Sequence, residues 1–330
     1  MAVTNLRFNQ VTPGLDRADV ASRYQATIEM AKFADKNGFD MVTLEEHHGA
    51  ENGWSPSPLS TAGAVLGATE RLGVIISALL APLYDPIRLA EDIAVLDNIS
   101  GGRLSIVAGL GYRPEEYAAI GKDWKRRGKI QDEVLDTLLK AWTGEPFEYN
   151  GQTVRVTPRP FTDPHPMVMI GGTAKASVRR AVRFRLPFFA AAPLPELEAY
   201  YYELAAQEGF EGGFAMLPSA ATKMVYCTED PDKAWAEYGK YFLHEAETYA
   251  AWQTPDIESV MESSAHSVEA LREEGIYACV TPDELIATAK SAGLTDAIIL
   301  HPLCGGLPID AGWASLQLFS DKVMPHNKPE

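Results

Sequence analysis

The 330-residue chain contains few cysteines, and no apolar run of 18 residues is free of charge. Its three cysteines, Cys227, Cys279 and Cys304, are far apart and form neither a C-x-x-C motif nor a disulfide framework. This spacing favours packing residues of a protein in a reducing cytoplasm. Because long apolar segments and an N-terminal charged stretch followed by an apolar core are both missing, the sequence predicts no membrane span and no export signal.

An excess of positive charge is also missing, since the formal net charge is -16. Such a chain repels nucleic-acid phosphates and anionic lipid. The short basic run Lys125, Arg126 and Arg127 lies among helical residues, and we interpret it as a solvated face. We therefore expect no nucleic-acid partner and no membrane partner.

What is present is an alternation of short β-rich apolar runs with longer segments of helical period, which is typical of repeated βα units and a parallel sheet. The predicted strands are 6–8, 39–44, 72–77, 104–108, 167–170, 187–190, 223–227 and 297–300. The predicted helices are 20–37, 58–69, 86–99, 131–143, 174–184, 195–208, 232–251 and 312–323. Eight such units predict one closed (β/α)₈ TIM barrel over residues 1–330, with its active site at the carboxyl ends of the strands.

Two segments interrupt the alternation and predict insertions near 145–165 and 250–280. In the first, Asn150 and Gly151 form a turn signal between alternating residues, which predicts a β-hairpin. The second, from 250 to 277, is polar and weakly periodic. We expect it to be an insertion that covers the barrel mouth as a mobile lid.

The stretch LEEHHGAENG, residues 44–53, places His47 and His48 at the end of a predicted strand. One imidazole near neutral pKa can act as a general base. The alternative is that both histidines stabilise the loop through Glu45 and Glu46. A metal site is not favoured, because no second histidine-rich strand end supplies further ligands and His301 stands alone.

A second candidate is the turn Gly171, Gly172 and Thr173, between an apolar strand and a helix. Free backbone N–H groups at such a helix N-terminus can hold a phosphate, and Ser177 can add a hydroxyl. The alternative is a simple tight turn. The segment Gly109-Leu110-Gly111 is a weaker phosphate signal, because the third glycine of the usual motif is missing.

Taken in order, these stretches resemble the bacterial luciferase-like family of flavin-dependent monooxygenases. The matching pieces are LEEHHG, LGATERLGVIISALLAPLYDPIRLAEDIAVLDNISGGRL, GLGYRPEEY followed by IGKDW, and VMIGGTAKAS, with looser agreement in VTPDELIATAKSAGLTDAIIL and LFSDKVMPH. The resemblance implies a (β/α)₈ barrel with inserted segments. Two departures stand out: Arg185 and Val280 occupy positions where relatives commonly have glycine.

The resemblance also implies roles for individual residues. It makes His47 the catalytic imidazole, with His48 as its neighbour. Ser77 and Ala78 match a pair that packs under the flavin ring and that several relatives join by a cis peptide bond, which we expect here too. The remaining implied flavin contacts are Gly109 at the ring, Gly171, Gly172, Thr173 and Ser177 at the phosphate, and Tyr112 and Arg113 at the ribityl chain or phosphate.

The implied activity is a monooxygenase that uses reduced FMN and dioxygen to oxidise a small organic substrate. No G-x-G-x-x-G motif follows a strand, so we expect a separate reductase to supply the reduced flavin. By resemblance we also expect a homodimer. Two alternatives stay open: a deazaflavin-dependent hydride-transfer oxidoreductase, and a barrel that binds flavin without catalysis.

Overall fold

The computed structural model describes residues 2–190, 192–216, 224–252, 262–292 and 296–327. The chain divides into two compact units. We call Met1–Pro56 with Leu217–Glu330 the terminal unit, and Ser57–Met216 the central unit. Among the described residues, no helix combines the length and the apolar content that a bilayer crossing needs.

The described strands and helices follow one another in a regular βα order. The strands are β1 Val3–Phe8, β2 Met41–Leu44, β3 Gly73–Leu79, β4 Leu104–Ala108, β5 Phe147–Tyr149, β6 Gln152–Val154, β7 Met167–Gly172, β8 Phe188–Ala190, β9 Phe214–Met216, β10 Met224–Cys227, β11 Tyr277–Val280 and β12 Ala297–Leu300. The α-helices are α1 Arg17–Lys36, α2 Pro58–Ala68, α3 Pro86–Ser100, α4 Pro114–Ala119, α5 Arg127–Trp142, α6 Lys175–Phe184, α7 Pro195–Gln207, α8 Pro231–Trp252, α9 Val268–Glu274, α10 Pro282–Ser291 and α11 Ile309–Lys322.

The terminal unit contains a parallel sheet with the strand order β11-β10-β12-β1-β2. Strands β10 and β12 are apolar along most of their length, whereas β1 also carries the buried polar residues Asn5 and Arg7. Leu6 and Phe8 of β1 are completely buried. Because all five strands run the same way, the loops after β1, β2 and β12 lie along one edge of this sheet.

The central unit contains a second parallel set, β3-β4-β7-β8-β9. Strands β5 and β6 pair separately as an antiparallel hairpin. Asn150 and Gly151 both have positive φ, 51° and 75°, which a two-residue hairpin turn requires. The predicted hairpin is therefore confirmed.

Helix α3 shows how local chemistry sets the ends of an element. The Asp85 carboxylate accepts hydrogen bonds from the backbone N–H groups of Ile87 and Arg88, both at 3.0 Å. Pro86 occupies the first helical position, and Gly101 ends the helix in the left-handed conformation. Its buried face packs on the sheet, as the helical spacing predicts.

All eight predicted strands are present, but the second predicted insertion is partly wrong. Residues 262–280 include α9 and β11, and β11 pairs in parallel with β10 as a full member of the sheet. Strand β11 has only four residues, two of them half-buried, so its pattern is too weak to be recognised in a polar stretch. The rest of the proposed lid, 253–261, lies outside the described residues. Strand β9 was not predicted either, since it has only three residues.

Candidate active site

In the terminal unit, the Glu245 carboxylate of α8 is completely buried and is surrounded by donors. Its Oε1 accepts from the Arg7 guanidinium and the Tyr277 hydroxyl, both at 3.1 Å. The groups around Oε2 are Asn9 Nδ2 at 2.7 Å, the Gly305 backbone N–H at 3.1 Å and His301 Nε2 at 3.1 Å. Arg7 also pairs with Glu45 at the end of β2. These contacts join α8 to β1, β11 and the loop after β12.

The surroundings of Glu245 keep this carboxyl group ionised. Burial alone would raise its pKa, but the electrostatic interactions with His301 and Arg7, with the hydrogen bond from Asn9, hold the pKa well below its ordinary value. A buried charge is tolerated when it is paired and its remaining lone pairs are satisfied. Glu245 therefore serves as the anionic centre of this unit.

Glu245, His301 and Cys304 also bring three possible metal-ligand atoms within 4.8 Å of one another. Three observations disfavour a cation there. The Glu245 oxygens already accept four hydrogen bonds, and Arg7 places a positive charge beside them. Burial also raises the pKa of the Cys304 thiol, which disfavours the thiolate that a metal needs. We therefore assign Glu245, His301 and Cys304 to the buried ion network around Arg7 and Glu245 and not to a metal site.

Helix α8 contacts the surroundings of His47 through residues on the same face as Glu245. Residues 245, 249 and 252 follow a helical spacing of four and three, so they share one face. The Trp252 ring centroid lies 4.7 Å from that of His47, and Trp54 contacts His47 edge-on at 5.6 Å. Tyr249 packs on Trp54 at 6.1 Å. The His47 imidazole, 6% exposed, thus lies in an aromatic cluster.

The loop after β2 is held at several points. The His47 backbone N–H donates to the Ser55 carbonyl at 2.9 Å, and the Ser55 N–H donates to the Asn9 carbonyl at 2.7 Å. Asn52 Nδ2 lies 3.1 Å from His244 Nε2 and 3.2 Å from Thr248 Oγ1, both on α8. The position of His47 is therefore set by β1 and α8 together.

Three buried polar atoms beside His47 have no hydrogen-bond partner in the part of the chain that the structure describes. They are Glu45 Oε2, Asn52 Oδ1 and Trp54 Nε1. Buried polar groups in native proteins almost always have a partner, because leaving one unsatisfied costs about 1–3 kcal/mol. These atoms mark a place where a bound molecule or ordered water completes the hydrogen bonding.

His48 has different surroundings from His47. Its Nε2 lies 3.0 Å from Glu46 Oε1, and the Glu46 side chain is completely buried while His48 is half-buried. The loop-stabilising interpretation therefore fits His48, through Glu46. A catalytic role for either histidine stays a prediction.

In the central unit, the predicted flavin contacts lie at the carboxyl ends of the adjacent strands β3, β4 and β7. The Ser77–Ala78 peptide bond is cis, which confirms that expectation. A Cβ on Gly109 would lie 2.7 Å from the Ala78 Cβ, and one on Gly171 would lie 2.8 Å from Val107 Cγ1. The strand ends approach so closely that only glycine fits at both positions.

The turn before α6 is also packed too tightly for a side chain. Gly172 has a φ of 155°, and a Cβ there would lie 2.6 Å from Ser177 Oγ. Ser177 is 6% exposed, so its side chain is buried against this turn. The structure thus brings Gly171, Gly172, Thr173 and Ser177 together at the N-terminus of α6, which suits an anion.

Tyr112 and Arg113 lie in the loop after β4. Arg113 is buried, and its guanidinium pairs with Glu115 at 2.8 Å and with Glu116 at 3.3 Å. Two carboxylates already balance its charge, which weakens the case for a phosphate contact. Tyr112 is half-buried. Both roles stay predictions.

Comparison with known proteins places this geometry in a family. The family model described as luciferase-like monooxygenase matches residues 6–291. The chain belongs to the luciferase-like monooxygenase family. The match covers every candidate site residue and supports the resemblance drawn from the sequence.

Curated relatives match over shorter stretches. The FMNH(2)-dependent dimethylsulfone monooxygenase of Pseudomonas putida is 29% identical over 47% of this chain and 45% of its own length. The flavin-dependent trigonelline monooxygenase, oxygenase component, of Acinetobacter baylyi is 27% identical over 48% of this chain and 46% of its own length. The chain thus spans about half the length of these relatives.

A solved structure shows the fold over the whole chain. Monooxygenase RslO1 from Streptomyces bottropensis superposes with a TM-score of 0.75 at 23% identity, covering 98% of this chain and 99% of that one. Most of the described strands pair in parallel, and most of these are followed by a helix. The predicted TIM-barrel fold class is confirmed, while the single-domain boundary 1–330 stays a prediction.

Replacing Glu245 by glutamine should destabilise the protein by about 3–5 kcal/mol at pH 7, because Arg7 would lose a buried partner and the amide would present hydrogens to donors. Thermal and urea unfolding measure the effect. The control is Glu247→Gln on the exposed side of α8, which should change little. Equal stabilities of the two variants would contradict the role of Glu245.

The pH dependence of this difference has a defined sign. Because the folded-state pKa of Glu245 is depressed below the ordinary value of 4.5, its stabilisation is present above that value and is lost as the pH falls below it. The difference in free energy of unfolding between the wild type and Glu245→Gln should therefore become smaller at acidic pH.

Proposed function

We propose that this protein is an FMN-dependent monooxygenase that uses reduced flavin and dioxygen to oxidise a small organic substrate. The observation that carries the proposal is the tight glycine turn that packs against the Ser177 hydroxyl at the N-terminus of α6. Membership of the luciferase-like family and the FMNH(2) dependence named for the dimethylsulfone relative support it.

The phosphate of FMN fits the turn before α6. Backbone N–H groups at a helix N-terminus favour a dianion, and the Ser177 hydroxyl can donate a further hydrogen bond. The strand ends at Ala78 and Gly109 would form the bed for the ring system. Thr173 would close the phosphate site.

Bound reduced flavin supplies the reaction with dioxygen, so the side chains need only manage protons and exclude water. An imidazole can accept or release a proton near neutral pH, which suits His47 for proton transfer. Trp54 and Trp252 would keep its surroundings dry, and a low local dielectric strengthens the interactions inside. Trp54 Nε1 and Asn52 Oδ1 are available to bind polar atoms of a substrate.

A separate reductase would supply the reduced flavin. The description of the trigonelline relative as an oxygenase component supports this arrangement. The protein would work in a reducing cytoplasm, which the three free, buried cysteines suit.

We also propose a homodimer formed through α2 and α3. On α3, Val95 and Ile99 are 42% and 54% exposed and lie one turn apart. On α2, the exposed residues Ser60, Ala64 and Gly67 are small and share one face, which allows close helix packing. A second copy would cover this apolar face.

The activity test supplies photoreduced FMN and ¹⁸O-labelled dioxygen with a panel of sulfones, aldehydes, ketones and aromatic compounds. We expect mass spectrometry to find one labelled oxygen in the product from at least one class. Preferential binding of a deazaflavin, with hydride transfer and no oxygen consumption, would contradict the proposal. Flavin binding without any turnover of dioxygen would favour the non-catalytic alternative.

In the same assay, His47→Ala should lose at least about 100-fold in product formation while keeping most of its flavin affinity, because general acid–base catalysis contributes on that scale. His266→Ala, at an exposed position, is the control. Wild-type turnover by the His47 variant would count against its role.

Sedimentation velocity tests the dimer. The wild type should sediment at twice the 36.0 kDa mass of the chain. Ile99→Glu should give monomers, whereas Ile120→Glu, at a 45% exposed position outside the proposed face, should not. A monomeric wild type would contradict the proposal.

A further inference from the structure

A chain of net charge -16 has an electrostatic problem if its cofactor carries a phosphate dianion. Its overall field would repel that ligand and slow association, unless a local positive field acts at the site. The inference below rests on the proposed function, and concerns how the flavin phosphate reaches the turn before α6.

Helix α6 and the residue after it carry a local excess of positive charge. Residues 175–185 contain five lysines or arginines and no aspartate or glutamate. Lys175, Arg179, Arg183 and Arg185 are exposed, and Arg180 is half-buried. This helix follows directly on the glycine turn.

The first turn of α6 carries the charge that helix stability disfavours. The partial positive charge at a helix N-terminus favours acidic residues in the first turn, yet α6 has none and begins with Lys175. Arg179 lies four residues further on, where like charges repel. Departures from local rules without a structural gain are expected at functional sites.

The cations of α6 divide into two groups by their partners. Arg180 and Arg183 pair with the Asp132 carboxylate of α5, at 2.6 Å and 3.3 Å. Among the described residues, Lys175 and Arg179 have no carboxylate within 4.0 Å. Their charges are therefore not neutralised.

Both unneutralised cations are held by a single aromatic residue of α7. Lys175 Nζ lies 5.1 Å from the Tyr200 ring centroid, and Arg179 Nη1 donates to the Tyr200 hydroxyl at 3.5 Å. Glu196 and Glu198, in the first turn of α7, do not pair with either of them. Tyr200 thus keeps two like charges together at the surface without cancelling them.

We propose that Lys175 and Arg179 form an electrostatic capture site for the phosphate dianion of the flavin. They lie two residues before and two residues after Ser177, which is about 3 Å along the helix axis in each direction. Both are exposed whereas Ser177 is buried, so they act on the dianion through their field and not by contact. Their field speeds the approach of the dianion, and the backbone N–H groups and Ser177 then hold it. Lys175 and Arg179 therefore raise the association rate of the flavin, whereas the glycine turn and Ser177 lower its dissociation rate.

The test is stopped-flow association of photoreduced FMN under anaerobic conditions, at low and at high salt. Lys175→Gln and Arg179→Gln should each slow association about twofold to fourfold at low salt, and the double variant about tenfold, with dissociation changed less than twofold. At high salt the rates should converge, because the charges are screened.

Two controls separate capture from a structural effect. Lys140→Gln in the last turn of α5 makes the same change in net charge and should leave association unchanged. Riboflavin lacks the phosphate and should bind all variants at the same rate. Lys175→Gln should also be at least as thermally stable as the wild type, because it removes an unfavourable charge from a helix N-terminus.

An unchanged association rate in the double variant, or an equal loss with riboflavin, would overturn the capture role while leaving the flavin proposal intact. A wild type that binds no reduced FMN at all would overturn the proposed function and this inference together.

Discussion

The terminal unit depends on one buried ion pair, between Arg7 of β1 and Glu245 of α8. Neither charge has access to solvent, so each needs the other, and the remaining oxygens of Glu245 are satisfied by groups from three further segments. Removing one member of such a network leaves an uncompensated charge in a low dielectric. The pairing therefore sets where α8 lies on the sheet, and its next two turns bring Tyr249 and Trp252 to the His47 loop.

The candidate site of the central unit differs from that of the terminal unit in the groups that form it. Its candidate site is built from backbone, with glycines where neighbouring strands come closest. Gly109 packs against Ala78 and Gly171 against Val107, which leaves main-chain groups to contact a ligand. Backbone N–H groups suit a phosphate, whereas proton transfer needs a titratable side chain such as His47. The proposed flavin chemistry needs both kinds of group.

Local signals in the sequence predicted most of the fold. Strands β4 and β12 begin and end at the predicted residues, and the Asn150–Gly151 hairpin was predicted from residue type alone. These features depend on neighbours within a few residues. The strands β9 and β11 escaped because they are too short to show a period, and β11 lies in a polar stretch that we interpreted as a lid.

The candidate site was predictable only where its residues are contiguous. LEEHHG and the diglycine turn stand out as short motifs, but the ion network does not. Arg7 and Glu245 are 238 residues apart, and His301 looked isolated in the sequence. Only the fold brings them together, so no spacing could have revealed them. Arg185, where relatives commonly have glycine, adopts a positive φ of 55° at the end of α6.

The central claim is that the chain binds a phosphorylated flavin through the turn before α6. Equilibrium titration of the wild type with FMN and with riboflavin tests it most directly. We predict that FMN binds at least about 100-fold more tightly, since charge-assisted hydrogen bonds contribute about 1.5–3 kcal/mol each. Equal affinities, or no binding of either flavin, would contradict the claim.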